Sequence, residues 1–330
     1  MIHEPRRIAA LPPGPPLVLV VVDTEEEFDW SRPFSRASTA VRNIAHIGTA
    51  QAIFRPYGVK PTYVIDHPVA TTAESAALLR GMVRDGECLI GAHLHPWVCP
   101  PDEEEVTAFN SYHGNLPPAL EHAKIATLTA AIEQGIGIRP DIFKAGRYGL
   151  GPHTGASLRA LGYGIDLSVL PHTDLREEDG GPDFRHWPDR PFRSGPAGDI
   201  FSIPLSRGFY GRVDALVPAL ARLAMSDLGT AARLPGLFHR SGLLVRATLT
   251  PEGHGFDEHR RLVESMLHRG HRVFTINYHS PSLVPGQTPY VRTEADLARF
   301  MATLERLAAY FFNDLGAIPA TPYDIRALAG

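Results

Sequence analysis

The chain has 330 residues, of which 44% are hydrophobic, so it is long for one ordinary domain and can bury a sizeable core. Its 32 basic and 36 acidic residues nearly balance, which gives no reason to expect a nucleic-acid partner or an anionic membrane. Two cysteines, Cys88 and Cys99, are too few for a disulfide scaffold. We expect unpaired thiols in a reducing compartment.

The N-terminal region carries two arginines before an apolar run, a pattern that superficially looks like a signal peptide. The run at 17–22 is too short, prolines precede it and acidic residues follow it. No stretch approaches the roughly 20 apolar residues of a membrane span. The sequence therefore predicts a cytoplasmic protein.

Short β-branched runs alternate with helical patterns along the chain. The strand candidates are 17–23, 61–66, 87–95, 141–147, 162–169, 200–206, 243–250 and 272–279. Helices fall between most of them, and we expect several to end at a glycine in the left-handed conformation: Gly58, Gly86, Gly135, Gly162 and Gly270. A further helix is predicted over 293–314, where apolar residues recur at helical spacing.

Repeated strand-then-helix units predict a parallel sheet. An open doubly wound sheet fits this pattern as well as a barrel does. The seven or eight units, and the polar residues that end many strands, favour a (β/α) barrel whose active site lies at the carboxyl ends of the strands. We predict one domain over 1–330 with its core at about 17–285. Residues 170–199 break the alternation and are rich in proline, glycine and charge, which indicates a lid or groove wall.

The first strand ends in an acidic run that begins with Asp23 and Glu25. Strand alternation places these two carboxylates on one face, where they repel each other unless a cation or a proton lies between them. One could bind a metal while the other acts as a base. Such a run is also typical of a solvated acidic turn, but its position directly after an apolar strand favours the buried site.

The third strand candidate ends with His93 and His95, two residues apart and therefore on one face. Two imidazoles so placed are a natural pair of zinc ligands, with bonds of roughly 2.0–2.1 Å. An H-x-H pair is also common at polar strand ends, and it gains weight from the carboxylates nearby. His113, in the loop NSYHGNLP, is a weaker candidate for a third nitrogen ligand.

Three further polar residues lie at strand ends. Arg147 stands among glycines and could hold a carboxylate through two hydrogen bonds, or form a surface salt bridge. Asp166 lies near the end of the fifth strand candidate and says little alone. His279 closes the last strand and could serve as a general acid near neutral pH, or be a polar strand-end residue.

In this order, these fragments resemble the motifs of the polysaccharide deacetylase family. The resemblance implies that Asp23 is the catalytic base and Glu25 a metal ligand. It also implies that His93 and His95 bind the metal. This chain has D-x-E where the family has adjacent aspartates, and H-x-H where the family has H-[ST]-x-x-H.

The remaining three motifs carry the resemblance to about residue 285. The segment RYGLG, which begins with Arg147, resembles the motif R-x-P-x-G with glycine in place of proline. In the family, the arginine of this motif holds the catalytic base. Asp166 is the candidate for the aspartate of the fourth motif and is expected to orient a histidine. The segment INYH, which ends with His279, resembles the motif L-x-x-H. In the family, the histidine of this motif is the catalytic acid. The fold implied is a distorted (β/α) barrel with about seven parallel strands and outer helices.

The predicted function is that of a metal-dependent hydrolase that removes an acetyl group from an N-acetylated amino sugar or oligosaccharide. The expected cofactor is a divalent metal ion, with zinc as the first choice. Trp30, Trp97 and Tyr148 are predicted to contact the substrate. Two alternatives stay open: the same fold acting on another carbon–nitrogen bond, such as a cyclic amide or formamide, and a catalytically silent carbohydrate-binding protein.

Overall fold

The structure, a computed structural model, describes residues 7, 8, 10–195, 198–212 and 214–330. The strands are β1 Arg7–Ile8, β2 Leu17–Thr24, β3 Thr62–Ile65, β4 Leu89–Leu94, β5 Ile142–Ala145, β6 Ile165–Asp166, β7 Phe192–Ser194, β8 Ile200–Ser202, β9 Arg207–Tyr210, β10 Val245–Thr248, β11 Val273–His279 and β12 Ile318–Pro319. The α-helices are α1 Ile47–Phe54, α2 His67–Thr71, α3 Ala73–Arg84, α4 Pro118–Ile136, α5 Thr154–Ala160, α6 Val217–Met225, α7 Asp227–Ala231, α8 Leu234–Ser241, α9 Phe256–His268, α10 Glu294–Ala309 and α11 Pro322–Leu328.

The main sheet runs in the order β1-β7-β8-β6-β5-β4-β3-β2-β11. Seven of these strands are parallel to one another: β8, β6, β5, β4, β3, β2 and β11. The short β12 pairs in parallel with the beginning of β2. β7 and β1 add an antiparallel edge. The predicted parallel sheet of about seven strands with outer helices is therefore confirmed.

Single backbone hydrogen bonds continue the sheet beyond β8 and curl it towards a barrel. The amide of Leu205 donates to the carbonyl of Val169 at 3.0 Å, and the amide of Leu249 donates to Ser206 at 2.8 Å. The amide of Asn277, on β11, then donates to Leu249 at 3.1 Å. These bonds link the two ends of the parallel sheet, so the architecture is a distorted barrel rather than an open doubly wound sheet.

The strand candidate at 243–250 forms β10, but not as a member of the parallel sheet. β10 pairs antiparallel with β9 in a separate two-stranded sheet, and helices α6 to α8 connect the two strands. The prediction of a barrel strand is therefore wrong for β10 itself and holds only for Leu249, directly after it, which bonds to Asn277 of β11. Alternation identifies a strand but does not say which strand it pairs with.

The interior of the barrel is apolar at one end and polar at the other. On β2, alternate residues Leu17, Leu19 and Val21 belong to a buried cluster to which other strands of the sheet also contribute. The residues between them pack against the outer helices. Since side chains alternate along a strand, the inward face of β2 continues to Asp23 at the carboxyl end of the barrel, the end at which (β/α) barrels carry their active sites.

Most of the predicted helix ends are confirmed. The positive φ angles are 70° at Gly58, 71° at Gly86, 88° at Gly162 and 77° at Gly270. Gly135 is the exception, because α4 continues past it and ends before Gly137, whose φ is 87°. A Cβ on Gly135 would stand 2.1 Å from the carbonyl oxygen of Ala70, so the absence of a side chain lets α4 pack closely on α2.

Segments 293–314 and 170–199 can be compared with their sequence-based predictions. The predicted helix at 293–314 is present as α10 and a π-helical continuation, Tyr310–Asp314. Segment 170–199 also contains regular structure, the short strand β7.

Both cysteines are buried and unpaired. Across the described ranges, no helix is both long enough and apolar enough to cross a membrane.

Candidate active site

A cavity of about 430 Å³ opens at the carboxyl ends of the parallel strands. The predicted residues Asp23, Glu25, His93, His95 and His279 all line it. Aromatic rings form much of the remaining wall: Phe28, Trp30, Phe34, Trp97, Tyr112, Tyr148 and Tyr290. Residues of segment 170–199 complete the wall, which agrees with its prediction as a groove wall.

Glu25, His93 and His95 form a buried three-residue cluster that fits a cation. The Nε2 atoms of both histidines lie 3.4 Å from Oε2 of Glu25, and one ligand atom from each residue lies within 4.8 Å of the others. Oε1 of Glu25 is buried without a hydrogen-bond partner. Burial raises the pKa of Glu25 to about 8. A carboxylate oxygen left unsatisfied beside two imidazole nitrogens is a suitable donor set for a divalent metal.

Both histidines direct Nε2 towards this cluster because their other ring nitrogen is engaged. Nδ1 of His93 lies 3.0 Å from the carbonyl oxygen of Lys144 and must be the donor, since a carbonyl only accepts. Nδ1 of His95 lies 2.7 Å from a carboxylate oxygen of Glu26. Burial lowers the pKa of both imidazoles, which favours neutral rings with a lone pair on Nε2.

A second layer of side chains fixes His95. Nε1 of Trp97 donates to Oε1 of Glu26 at 2.7 Å, and the indole stacks on the His95 ring with centroids 4.3 Å apart. The backbone amide of Glu26 donates to Asp66 at 2.6 Å. The polar edge of Trp97 is thus engaged, through Glu26, in orienting His95. Its predicted substrate contact stays a prediction, limited to the part of the ring that faces the cavity.

Asp23 lies next to the cluster and is held by three neighbours. Its Oδ2 forms an ion pair with Nζ of Lys144, and its Oδ1 accepts a hydrogen bond from Nδ2 of Asn277 at 3.2 Å. Nε2 of His279 lies 3.5 Å from Oδ2. Burial alone would raise the pKa of Asp23, but Lys144, His93 and His279 outweigh it and hold this pKa well below its usual range. The carboxylate is therefore ionised near neutral pH.

The prediction that Arg147 holds the base is wrong. Arg147 has a φ of 51°, and the turn carries its guanidinium to the cavity rim, where it lies 3.6 Å from Asp179 and 4.2 Å from the Tyr112 ring centroid. Lys144 forms the ion pair with Asp23 that was expected of Arg147. Lys144 lies on β5 directly opposite His93, on the inward face. The signal in the sequence was a single charged residue inside an apolar strand.

His279 has the environment of a proton donor. It lies opposite Asp23 in the β11–β2 register. Its Nδ1 lies 2.8 Å from Oε2 of Glu252, whose Oε1 accepts the backbone amide of His279 at 3.1 Å. Burial would lower the pKa of His279, but Glu252, Glu25 and Asp23 raise it to about 10. The sequence offered one sign of Glu252, an acidic residue two positions after a strand candidate.

Asp166 and His113 do not have the predicted roles. Asp166 accepts hydrogen bonds from the amide and hydroxyl of Ser168, and it does not line the cavity. The carboxylate that orients the histidine is Glu252 instead. His113 is fully buried, with Nδ1 3.0 Å from Glu121, and it belongs to neither candidate metal cluster found among the described residues.

Two of the predicted substrate contacts are well placed for that role. Trp30 is 39% exposed and stands edge-on to His279, with ring centroids 5.4 Å apart. The Tyr148 ring lies below Nζ of Lys144, 5.1 Å from its centroid. Both rings border the space in front of Asp23, and their contact with a substrate stays a prediction.

Comparison with solved structures places the fold. The chain is similar to a protein from Mycobacterium smegmatis described as a polysaccharide deacetylase, with 14% identity, a TM-score of 0.52 and coverage of 99% of this chain and 93% of the other. One from Pseudomonas aeruginosa PAO1, also described as a polysaccharide deacetylase, gives 16% identity, a TM-score of 0.50 and coverage of 94% and 90%.

A third similar structure is Puue allantoinase, with 15% identity, a TM-score of 0.51 and coverage of 94% of this chain and 89% of the other. No protein-family model and no curated protein matches the sequence. The fold is that of the polysaccharide deacetylases, so the resemblance seen in the sequence motifs is confirmed at the level of the fold.

Proposed function

We propose that the protein is a metal-dependent hydrolase that removes an acetyl group from an N-acetylated amino sugar. The observation that carries this proposal is the meeting of Asp23, His279 and the Glu25–His93–His95 cluster in one cavity. An ionised base, a protonated acid and a donor set for a Lewis acid are the components that amide hydrolysis needs. A silent binding protein has no need for all three together.

Glu25, His93 and His95 would hold the cation. Zinc is the first choice, because two histidines and one glutamate are a ligand set of hydrolytic zinc enzymes. When bound, the cation supplies polarisation of the acetamide carbonyl and a more acidic water. The hydrogen bond from Trp97 to Glu26 keeps His95 oriented towards that position.

Asp23 and His279 would carry the two protons. Asp23 accepts a proton from the water whose oxygen attacks the carbonyl carbon. The carbon–nitrogen bond then breaks, and His279 gives its proton to the leaving nitrogen, so that the products are acetate and a free amine. Lys144 keeps Asp23 in place throughout, and Glu252 keeps His279 protonated and aimed at the cavity.

The cavity suits a small amino sugar. About 430 Å³ is in the lower part of the range for small-molecule sites, and exposed aromatic faces such as that of Trp30 can pack on the apolar face of a sugar ring. The fold it shares with proteins described as polysaccharide deacetylases supports this substrate class. With the cytoplasmic location predicted from the sequence, the substrate would be a precursor rather than a finished wall polymer.

Hydrolysis of a cyclic amide is the second candidate. The fold is shared with a protein named as an allantoinase, over 94% of this chain. The same acid and base would open a ring amide, with His279 protonating a nitrogen that stays attached to the product. The acetyl-sugar proposal is preferred, because the rings of Trp30 and Tyr290 extend the cavity beyond the reacting groups.

Metal analysis combined with a hydrolysis panel tests the proposal. The purified protein is expected to contain about one divalent metal ion per chain and to release acetate from one or more N-acetyl sugars. Allantoin serves as the cyclic amide, and Asp23→Asn as the inactive control. Hydrolysis of allantoin alone would favour the second candidate. Metal without any turnover, or no metal at all, would favour the silent binding protein.

A further inference from the structure

Arg207 is a cation of the active-site cavity that has no anionic partner in the structure. It begins β9, directly opposite Thr248 on β10, and its Nη1 donates to Oγ1 of Thr248 at 2.7 Å. Its Nε is buried without a hydrogen-bond partner. Among the described residues, no carboxylate oxygen lies within 4.0 Å of this guanidinium, which nevertheless lines the same cavity as Asp23 and His279.

The other cations of the cavity are compensated. Lys144 pairs with Asp23, and Arg147 lies 3.6 Å from Asp179. Arg32 lies 3.2 Å from Asp29. Glu178 also lines the cavity, and its charge acts on Arg207 at longer range, but its side chain is exposed and forms no ion pair with Arg207. Within this set, Arg207 is therefore the one arginine or lysine without a carboxylate at ion-pair distance.

A desolvated guanidinium without a counter-ion destabilises the free protein. Burial and the nearby Arg246 lower the pKa of Arg207 to about 10, and they outweigh Tyr148 and Glu178, which act in the opposite direction. A ligand that brings a negative charge would recover the lost solvation and satisfy the free N–H groups. Thr248 holds one edge of the guanidinium, which leaves the planar fork oriented for a carboxylate or a phosphate.

We infer that Arg207 selects substrates that carry a phosphate or carboxylate group in addition to the acylated amine. This inference rests on the proposed function and makes it more specific: the preferred substrate is an anionic amino-sugar derivative rather than a neutral one. Asp23 and His279 act on the amide, and Arg207 fixes the charged substituent at another part of the cavity.

The test compares matched substrates. N-Acetylglucosamine and N-acetylglucosamine 6-phosphate differ only by the phosphate, and N-acetylmuramic acid carries a carboxylate. The quantity measured is the ratio of kcat/KM for the anionic substrate to kcat/KM for the neutral one. For Arg207→Gln this ratio should fall by about 10- to 100-fold, the range expected for loss of a hydrogen bond between charged groups.

Arg246→Gln is the matched control. Arg246 lies on the same face of the β9–β10 pair, is half-buried like Arg207 and does not line the cavity. Its substitution should change the ratio by less than about threefold. The inference is overturned if the wild-type protein does not prefer either anionic substrate, or if Arg207→Gln leaves the ratio unchanged.

Two further measurements distinguish failure of this inference from failure of the proposed function. If the wild type hydrolyses no sugar, the proposed function fails, and the binding of inorganic phosphate then tests the anion site by itself. Weaker phosphate binding in Arg207→Gln than in the wild type would support the anion site. Equal binding in the two proteins would overturn it. If Arg207→Gln does not fold, Thr248→Val replaces it. Loss of the orienting hydroxyl should lower the ratio, or phosphate affinity, by about two- to tenfold, and no change would overturn the inference.

Discussion

His93 and His279 end two strands of one barrel and face one cavity, yet the structure favours opposite protonation states for them. Burial lowers the pKa of His93 well below its usual value, and its Nδ1 faces a neutral carbonyl group. Burial also acts on His279, but there Glu252, Glu25 and Asp23 raise the pKa to about 10. The residue type is the same, and the group behind the ring decides which protonation state is favoured, as the two roles proposed for these histidines require.

His95 shows that a carboxylate behind the ring is not sufficient. Its Nδ1 lies 2.7 Å from Glu26, but burial raises the pKa of Glu26 itself to about 7. A carboxylate that is partly protonated stabilises an imidazolium less than a fully ionised one does. Glu252 has more hydrogen-bond partners around His279: the amide and ring of His279 and the hydroxyl of Ser282 all contact its oxygens, at 3.1, 2.8 and 2.5 Å.

The largest effect should follow from removing the ligand histidines. In His93→Ala combined with His95→Ala, bound metal should fall from about one ion per chain to near zero, and acetate release should fall to that of the assay blank, because only one carboxylate ligand is left. Elemental analysis after gel filtration measures the metal. Stoichiometric metal in this double variant would show that the cluster is not the metal site.

Replacing the acid should lower the rate and keep the metal. His279→Ala should reduce kcat by about 10²- to 10⁴-fold, the usual cost of losing a general acid, because protonation of the leaving nitrogen belongs to the transition state. Its metal content should match that of the wild type. The same substitution should reduce kcat much less for an activated aryl acetate, because its leaving group needs no proton. Loss of metal in His279→Ala would remove the contrast between the two histidines.

The smallest effect concerns the group that keeps His279 protonated. Glu252 raises the pKa of His279, so Glu252→Gln should lower this pKa. The protonated acid is present below the pKa and lost above it, so wild-type activity should decline as pH rises through the raised pKa of His279. In the variant, this decline should begin at lower pH, and activity at pH 7 should fall by roughly 10- to 100-fold, less than the loss of the acid itself.

A pH–rate profile of kcat in both proteins checks this prediction, and Glu252→Asp is its matched partner, since it keeps the charge on a shorter side chain. The aspartate variant should retain the alkaline limb near its wild-type position. An unchanged limb in Glu252→Gln would show that Glu252 supports only the local structure of the loop after β10.

The sequence predicted best what depends on strand periodicity. Alternation along β2 placed Asp23 and Glu25 on the face that continues the apolar interior, and alternation along β4 paired His93 with His95. The order of the motifs also indicated the barrel. These predictions need only local geometry and the rule that parallel strands end at one edge.

What the sequence missed depends on long-range geometry. Arg147 matched a family motif, but the left-handed turn at this residue carries its side chain away, and the shorter route from β5 to Asp23 is taken by Lys144. Glu252 meets His279 from 27 residues away, through the loop that follows β10. Which carboxylate reaches a histidine depends on where β9 and β10 leave the parallel sheet, and periodicity does not encode that departure.

The stacking of Trp97 on His95 also has an optical consequence. The indole lies 4.3 Å from the imidazole, centroid to centroid, and its N–H group is bonded to Glu26 at 2.7 Å. A charge placed on the far side of His95 would alter the electric field across this indole and shift its emission. Of the three tryptophans, only Trp97 is both buried and in contact with the cluster, so the protein's intrinsic fluorescence can serve as a titration signal for the site without any added dye.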